Sequence, residues 1–282
     1  MPTLSSAASF VDADALGVVS KLTAGPAAVL RASRRTRRTA AFLATSATHV
    51  KSRLLPLTPG PAASLRRQGY NSFMAQNVCA INGFDVRVRG PIPHGPALLV
   101  CNHVTWQDPI LINSVIPSSV VAKSEVGSWP LIGALTRGLE HLLVERGNVH
   151  SGASVLLRAR QLLERGCNVL TFPEGTTSRG REILPFYRGV FGLAQLTGAP
   201  LIPMTLTHEL GDAAAWVGDD SFLPNFAMTV ARRRTISWLD LGAPIQLNPD
   251  ESAEQLAART RATMHTLLRA RQAALATQGT FA

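Results

Sequence analysis

A histidine and an aspartate that lie five residues apart, His103 and Asp108, are the first side chains that could do chemistry. An apolar run ends at Cys101, and Asp108-Pro109 is typical of a helix start with Asp as the N-cap. Within a helix the two side chains would point about 140° apart, whereas a loop returning to a helix can bring them together. The imidazole could then accept a proton from a hydroxyl while the carboxylate fixes its tautomer. The alternative is an ordinary N-cap aspartate beside a surface histidine.

A second group of polar residues follows another apolar run. Residues 172–180 read Phe-Pro-Glu-Gly-Thr-Thr-Ser-Arg-Gly. Such a loop offers backbone N–H groups, the hydroxyls of Thr176 and Thr177 and the guanidinium of Arg179 to an anion or a polyol. Glu174 comes directly after a strand and a proline, and we expect it to be partly buried. A tight, solvated loop is the alternative interpretation.

Two further segments complete the set. Arg146 follows the apolar run 142–144, and an arginine at a strand end can hold a phosphate through two parallel hydrogen bonds. The alternative for Arg146 is a surface ion pair with Glu145 or Glu164. Residues 199–204, Ala-Pro-Leu-Ile-Pro-Met, indicate a core strand and, by themselves, nothing more.

The elements that must position these residues alternate along the chain from about residue 84. Apolar, β-branched runs followed by helical patterns predict an α/β fold, with a mixed, mostly parallel β-sheet flanked by helices. The predicted strands are 84–89, 97–101, 119–123, 141–145, 168–172, 201–207, 228–232 and 235–239. The predicted helices include 110–115, 151–165, 190–197 and 252–274.

The basic charge is concentrated near the N-terminus. Residues 1–90 hold 12 Lys and Arg against 3 Asp and Glu, whereas the remainder holds 16 against 15. A helix is predicted from 27 to 55, and its arginines at i, i+3, i+4 and i+7 share one face. These four arginines are Arg31, Arg34, Arg35 and Arg38. The segment is either an interfacial helix on anionic headgroups or a solvated leader, and 57–61 is predicted to be a linker. We therefore expect a basic, partly helical segment over 1–60 and one domain over 61–282.

Composition excludes several classes of protein. With 282 residues, 46% hydrophobic and 16% charged, the chain is expected to fold around a sizeable core. Its three cysteines and its histidines show neither a disulfide framework nor metal-ligand spacing, so no metal is expected.

A Gly-x-Ser-x-Gly nucleophile elbow is absent from the sequence, which argues against a serine hydrolase. Only 6% of residues are aromatic and no stacking motif accompanies the arginines, so no nucleic-acid partner is expected. No secretory signal and no spanning run are visible.

The order of the four segments resembles the glycerolipid (lysophosphatidate-type) acyltransferase family. That family carries a His-x-x-x-x-Asp block, an arginine-bearing block, a Phe-Pro-Glu-Gly block and a proline-containing strand block, in this order. Here they correspond to His103 with Asp108, to Arg146, to 172–175 and to 200–203. The resemblance covers about residues 80–245.

The resemblance implies a role for each matched residue. His103 would be the catalytic base, Asp108 its carboxylate partner, and Arg146 a contact for the acceptor headgroup. Glu174 and Gly175 would belong to the acceptor-binding block. The implied reaction moves a fatty acyl group from acyl-CoA or acyl carrier protein to a hydroxyl of a lysolipid. No covalent acyl-enzyme and no cofactor are required, and 1-acylglycerol-3-phosphate is the expected acceptor.

One departure from the family pattern concerns the acceptor. Many lysophosphatidate enzymes carry Arg after Phe-Pro-Glu-Gly-Thr, whereas this chain has Thr177. A phosphate-binding charge is missing there, which Arg179, Arg181 or Arg188 could replace. Thr-Thr-Ser at this place also resembles relatives that acylate lyso-ornithine lipid or lysophosphatidylcholine, which makes such lipids the alternative acceptors. The expected substrate-binding residues are Arg146, Glu174, Gly175, Thr176, Thr177, Arg179 and Arg188.

The expected location is the cytoplasmic face of a membrane. The chain lacks the strongly apolar N-terminal helices of many relatives, so peripheral attachment to an anionic surface is expected rather than a membrane span. A non-enzymatic protein that binds anionic membranes is the remaining alternative.

Overall fold

A seven-stranded β-sheet lies at the centre of this computed structural model, which describes residues 25–218 and 220–277. The strands are β1 (Phe84–Arg89), β2 (Leu98–Cys101), β3 (Ser119–Lys123), β4 (Leu142–Val144), β5 (Val169–Thr171), β6 (Leu201–His208) and β7 (Thr235–Leu241). Their order across the sheet is β1-β7-β6-β2-β5-β3-β4. Within the described residues every neighbouring pair is parallel except β6 and β7. The predicted α/β fold with a mixed, mostly parallel sheet is confirmed.

Eight α-helices accompany the sheet in the described part of the chain. They are α1 (Pro26–His49), α2 (Pro61–Asn82), α3 (Asp108–Asn113), α4 (Ile132–Gly138), α5 (Val149–Glu164), α6 (Gly189–Thr197), α7 (Phe222–Ala231) and α8 (Ala253–Thr277). None of these helices combines the length and the apolarity that a bilayer crossing requires.

The sheet is buried on both faces because successive side chains of a strand point to opposite sides. In β2, Leu98 and Val100 pack with Val155 of α5 and Phe191 of α6. Leu99 and Cys101 pack on the other face, in a cluster with residues of α2, α3 and α7. A strand buried on both faces reads as a continuous apolar run, which is why the sequence reveals β2 so clearly.

The carboxyl ends of the central strands meet at one edge of the sheet. β2 is parallel to both β5 and β6, and β5 is parallel to β3. The chain therefore leaves β2 toward His103, leaves β5 toward Glu174 and ends β6 at His208, all on the same edge. This arrangement brings segments that are far apart in the sequence into one place.

The predicted N-terminal helix is present. α1 continues into a π-helical turn, Val50–Leu54, close to the predicted end at residue 55. The four arginines on its predicted common face have two different roles. Arg31 donates to the carbonyl of Ala231, and Arg35 donates to three carbonyls at the end of α7, including Val230 at 3.1 Å. Arg34 and Arg38 remain exposed.

The predicted strand over 228–232 is wrong, because these residues end helix α7 or follow it directly. A short apolar run does not distinguish a buried strand from a buried helix by its pattern alone. In the folded chain, Thr229 donates to the carbonyl of Asn225 at 2.8 Å and accepts from Gln107 at 3.2 Å. These contacts stabilise the helical form.

Candidate active site

His103 and Asp108 meet in the connection between β2 and α3. His103 Nδ1 lies 2.7 Å from Asp108 Oδ2, so the predicted meeting of the two side chains is confirmed. The same oxygen accepts the backbone N–H groups of Val104 at 2.6 Å and Thr105 at 2.9 Å. The carboxylate therefore bonds back to the loop that precedes it. Asp108 is therefore not an ordinary N-cap. Helix α3 begins at Asp108 itself, and Gln107 occupies the N-cap position.

Asp108 is completely buried and yet held in its ionised form. Burial on its own would raise the pKa of this carboxyl. Hydrogen bonds from His103 and His208, together with the positive charge that these rings carry when they are protonated, outweigh burial and hold the pKa of Asp108 well below its usual range. An ionised Asp108 accepts hydrogen bonds and donates none, so the facing nitrogen of His103, Nδ1, carries a proton.

The outer nitrogen of His103 is available for chemistry. With Nδ1 committed to Asp108, the neutral ring has its lone pair on Nε2, which has no protein partner among the described residues. The side chain is 18% exposed. The ring stacks on Phe172, with centroids 4.1 Å apart and planes inclined by 18°. The site thus presents a fixed, accessible proton acceptor.

His208, a second histidine, contacts the other oxygen of Asp108. Its Nε2 lies 2.9 Å from Asp108 Oδ1 and its Nδ1 lies 3.0 Å from Ser237 Oγ. The ring is 3% exposed. The sequence does not single out His208, because the histidines of the chain show no metal-ligand spacing. The available signal was its position, since it closes an apolar strand at the same sheet edge as His103.

The Phe-Pro-Glu-Gly loop is fastened to the histidine loop. Ser178 N donates to the carbonyl of His103 at 2.8 Å. Trp216 N donates to the carbonyl of Val104 at 3.0 Å, and Thr177 Oγ1 donates to the carbonyl of Trp216. The Thr177 hydroxyl is therefore used within the protein, while Thr176 is exposed.

Glu174 is the unusual acid of this site. It is 4% exposed, and neither of its carboxylate oxygens is in hydrogen-bond geometry with a donor among the described residues, although the His103 backbone and the Ser178 hydroxyl lie near enough to oppose part of the effect of burial. Burial, followed by the nearby charge of Asp108, raises the pKa of Glu174 to about 8. The predicted burial of Glu174 is confirmed. A buried acid without partners is costly, and such a group gains from a ligand that supplies a hydrogen bond.

Gly175 is required by the shape of its loop. Its φ is +66°, a conformation that favours glycine. A Cβ at this position would lie 2.4 Å from Cε2 of Tyr187, and the loop is closed by Tyr187 N donating to the carbonyl of Pro173 at 2.9 Å. Gly175 thus lets the aromatic ring lie directly against the backbone beside Glu174.

The arginines are distributed around the site rather than gathered in it. Arg181 pairs with Asp212, and Arg188 pairs with Glu254. Arg179 is exposed and lines a small cavity of about 40 Å³ together with Val104 and His208.

Arg146 follows the outermost strand, β4, and is exposed. The alternative ion pairs proposed for it do not form among the described residues. Glu145 accepts from Asn148 at 3.0 Å, and Glu164 pairs with Arg160 at 2.7 Å. The structure therefore leaves Arg146 as an exposed cation at the edge of the sheet that carries the site.

Comparisons with known proteins identify the family to which the chain is similar. The family model described as Acyltransferase matches residues 84–207, which include both motif loops. The chain is 33% identical over 202 residues to a lyso-ornithine lipid O-acyltransferase from Pseudomonas aeruginosa, covering 70% of this chain and 77% of that protein. It is 31% identical over 137 residues to a 1-acyl-sn-glycerol-3-phosphate acyltransferase from Neisseria meningitidis, covering 48% and 54%.

A solved structure shares the fold. The crystal structure of the 1-acyl-sn-glycerophosphate (LPA) acyltransferase PlsC from Thermotoga maritima aligns with a TM-score of 0.59 and 21% identity, covering 85% of this chain and 98% of that chain. The identity to the Pseudomonas relative, over 70% of this chain and 77% of that protein, shows that the chain belongs to the acyltransferase family that its motif order indicates. Within that family it is an O-acyltransferase related to enzymes named for lysolipid acceptors.

Proposed function

We propose that this enzyme transfers a fatty acyl group from a thioester to a hydroxyl of a lysolipid, with His103 as the general base. The observation that carries the proposal is the pair formed by His103 Nδ1 and Asp108 Oδ2 at 2.7 Å, which leaves Nε2 accessible. His103 Nε2 removes the hydroxyl proton while the oxygen attacks the thioester carbonyl carbon. The tetrahedral intermediate expels the thiolate, which takes the proton back from the imidazolium. The products are an ester and a free thiol.

Asp108 would assist without changing its own protonation. As proton transfer makes the His103 ring positive, the buried carboxylate lies beside the new charge and stabilises it. Because Asp108 is already ionised and fully hydrogen-bonded, it needs little reorganisation during the reaction. No acyl-enzyme, metal or other cofactor is part of this proposal.

For the acceptor we propose a lyso-ornithine lipid. The Pseudomonas relative is named for that substrate, and Thr177, which replaces an arginine, has its hydroxyl engaged by Trp216. Arg181 and Arg188 are each paired with a carboxylate. The acid beside the histidine, Glu174, has no partner among the described residues and could accept a hydrogen bond from an ornithine amine. These features favour a zwitterionic headgroup over a phosphate monoester.

A second candidate acceptor is 1-acylglycerol-3-phosphate, the acceptor expected from the motif order. Arg146 and Arg179 are exposed cations near the relevant edge of the sheet, and the Neisseria relative is named for this substrate. The donor is acyl-CoA or acyl carrier protein. We further propose that the basic N-terminal segment holds the enzyme peripherally on the anionic cytoplasmic face of a membrane.

The test is an acyl-transfer assay with purified protein, labelled acyl-CoA or acyl carrier protein, and both lysolipids in separate reactions. His103→Ala should lower turnover by on the order of 100-fold or more, since general-base catalysis is worth about 10²–10⁴-fold. His150→Ala, which alters an exposed histidine on α5, is the matched control and should keep full activity. Near-wild-type turnover by His103→Ala would reject the assigned base, and faster acylation of 1-acylglycerol-3-phosphate would reverse the acceptor assignment.

A further inference from the structure

The proposed base and its carboxylate have a third member, His208, that neither the motif pattern nor the comparisons assign. We propose that His208 is a positioning residue for acyl transfer, which holds Asp108 in the orientation that His103 requires, and that Ser237 fixes the ring of His208. The inference rests on the proposed function, because it concerns how the base of that reaction is held.

The hydrogen bonds divide unequally between the two oxygens of Asp108. Oδ2 accepts from His103 and from two backbone N–H groups, whereas Oδ1 accepts only from His208 within the described part of the chain. Because Asp108 is completely buried, Oδ1 would otherwise be an unpaired carboxylate oxygen in the interior, which is costly. His208 therefore prevents the carboxylate from rotating to seek another donor.

The protonation of His208 follows from its two partners. Asp108 is ionised and only accepts, so the 2.9 Å contact requires a proton on Nε2 of His208. The hydroxyl of Ser237, 3.0 Å from Nδ1, can donate to the remaining lone pair. Ser237 is the direct cross-strand partner of His208 in the antiparallel β6–β7 pair. The register of the β6–β7 pair therefore places Ser237 where its hydroxyl favours the tautomer of His208 that carries its proton on Nε2.

A separate contact fixes the distance between β6 and the catalytic loop. Asn102, the residue before His103, donates through Nδ2 to the carbonyl of Leu206 at 3.1 Å and accepts the Leu206 N–H through Oδ1 at 2.8 Å. This two-way amide clamp joins the loop to β6 two residues before His208. His103 and His208 are consequently attached to one rigid unit with Asp108 between them.

The charged groups around His208 are few. Asp108 faces Nε2, and Glu209 follows along the chain, where it accepts the backbone N–H of Ile236 at 3.0 Å. The cavity beside the ring is lined by Arg179 and by the ion pair of Arg181 with Asp212. Of these groups, Asp108 is the one that bonds directly to the imidazole, so a change at His208 should act on catalysis through Asp108.

The test compares variants of His208 in the acyl-transfer assay. His208→Leu and His208→Asn, whose shorter amide does not reach Asp108, should lower kcat by on the order of 10- to 100-fold, by analogy with the loss of outer-shell partners that orient the ligands of metal sites. KM for the acceptor should change less than about twofold. His208→Gln places an amide N–H near the former Nε2 and should restore most of kcat.

The pH profile separates positioning from mere structural support. The acids near His103 are Asp108 and Glu174, and Glu174 is unchanged in these variants. A carboxylate that has lost a donor holds the protonated form of His103 more strongly. The acidic limb of kcat against pH should therefore move to higher pH, relative to the wild type, in His208→Leu and His208→Asn. Ser237→Ala should produce a smaller shift in the same direction. The matched control is His141→Leu, which alters a half-buried histidine at the opposite edge of the sheet that accepts the Val120 N–H at 3.0 Å. Folded His141→Leu should retain the wild-type kcat and profile.

The outcomes distinguish this inference from the proposed function. If His103→Ala is inactive while folded His208→Leu and His208→Asn keep the wild-type kcat and profile, the positioning role is rejected and the base remains. If His208→Gln is no more active than His208→Leu, the donor role is likewise overturned. If His103→Ala is itself active, the proposed function fails first. Should His208→Leu not fold, His208→Asn and Ser237→Ala carry the same test.

Discussion

The ring of Phe172 lies against the imidazole of His103, with centroids 4.1 Å apart. Phe172, from the Phe-Pro-Glu-Gly loop, thus packs against the reactive side chain of the histidine loop. We predict that Phe172→Leu lowers kcat by a few-fold to about tenfold, since an aromatic stack contributes about 0.5–1.5 kcal/mol and a misplaced ring reacts more slowly. Steady-state kinetics test this, with Phe73→Leu, an exposed aromatic on α2, as the control. Unchanged kcat in Phe172→Leu would mean that Asp108 alone orients the ring.

Asp108→Asn should cost less activity than His103→Ala. The amide oxygen can still accept from His103 and from the backbone N–H groups of Val104 and Thr105, while its NH₂ would face His208 in place of Oδ1. His208 can accept there if its proton moves to Nδ1 and bonds to Ser237, so the site can adapt. What is lost is the negative charge that stabilises the imidazolium. Comparing kcat for the two variants checks the ranking, and a larger loss in Asp108→Asn would contradict it.

Glu174→Gln should stabilise the protein in a pH-dependent manner. The pKa of Glu174 rises from 4.5 to about 8 on folding, so between these values the folded state holds a proton that the unfolded state has released. Wild-type stability therefore falls as pH rises through this window, at up to about 1.4 kcal/mol per pKa unit. Glu174→Gln has no titrating carboxyl at this position, so its free energy of unfolding lacks this dependence on pH.

Thermal unfolding at pH 5 and pH 8 measures the difference. Glu174→Gln should be more stable than the wild type at pH 8 and nearly equal to it at pH 5. Glu182→Gln, which changes an exposed acid in a nearby loop, is the control. An equal difference at both pH values would show that Glu174 is ionised throughout. We also expect KM for the acceptor to rise in Glu174→Gln, as proposed for a headgroup contact.

Two pairs of arginines on α1 should respond differently to substitution. Arg31→Ala with Arg35→Ala removes donors from the carbonyls at the end of α7, and each lost bond should cost about 0.5–1.5 kcal/mol of the free energy of unfolding. Arg34→Ala with Arg38→Ala should leave stability unchanged but weaken binding to anionic vesicles by about 1 kcal/mol per residue.

Denaturant unfolding and vesicle sedimentation at low and high salt separate these effects. Vesicle binding of the wild type should increase with anionic lipid and decrease with salt. Equal vesicle binding by the wild type and by the variant that lacks Arg34 and Arg38 would show that other residues attach the protein to the membrane.

The parts of the fold that the sequence predicts well are those where burial dictates the pattern. β1 and β3 have the predicted bounds. The helix through Arg31 and Arg35 ends at His49, and only with its π-helical turn does it reach Leu54, one residue before the predicted end. α2 was not predicted, although Pro61 at its start and Gly83 after its end are typical signals. Its buried side includes Arg67, whose charge is paired with Glu140 at 2.9 Å. Because a charged residue occupies a buried position of α2, the apolar periodicity by which a helix is recognised in the sequence is interrupted there.

The sequence predicts the part of the candidate site whose residues lie close together in the chain, and it misses the contact made by a distant residue. His103 and Asp108 share one short connection, so their meeting follows from a single turn. His208 reaches Asp108 because β6 lies beside β2, and it reaches Ser237 because β7 lies beside β6. Strand order depends on the whole chain, and no local pattern contains it.

The two-way amide clamp between Asn102 and Leu206 has a consequence for protein engineering. Side chains of a strand alternate between faces, so inserting or deleting one residue in β6 before residue 208 would turn the imidazole to the wrong side of the sheet. A designer who grafts this site onto another scaffold must therefore transplant β2 and β6 together and in register. The loop that carries His103 and Asp108 would, on its own, lack the contact with His208.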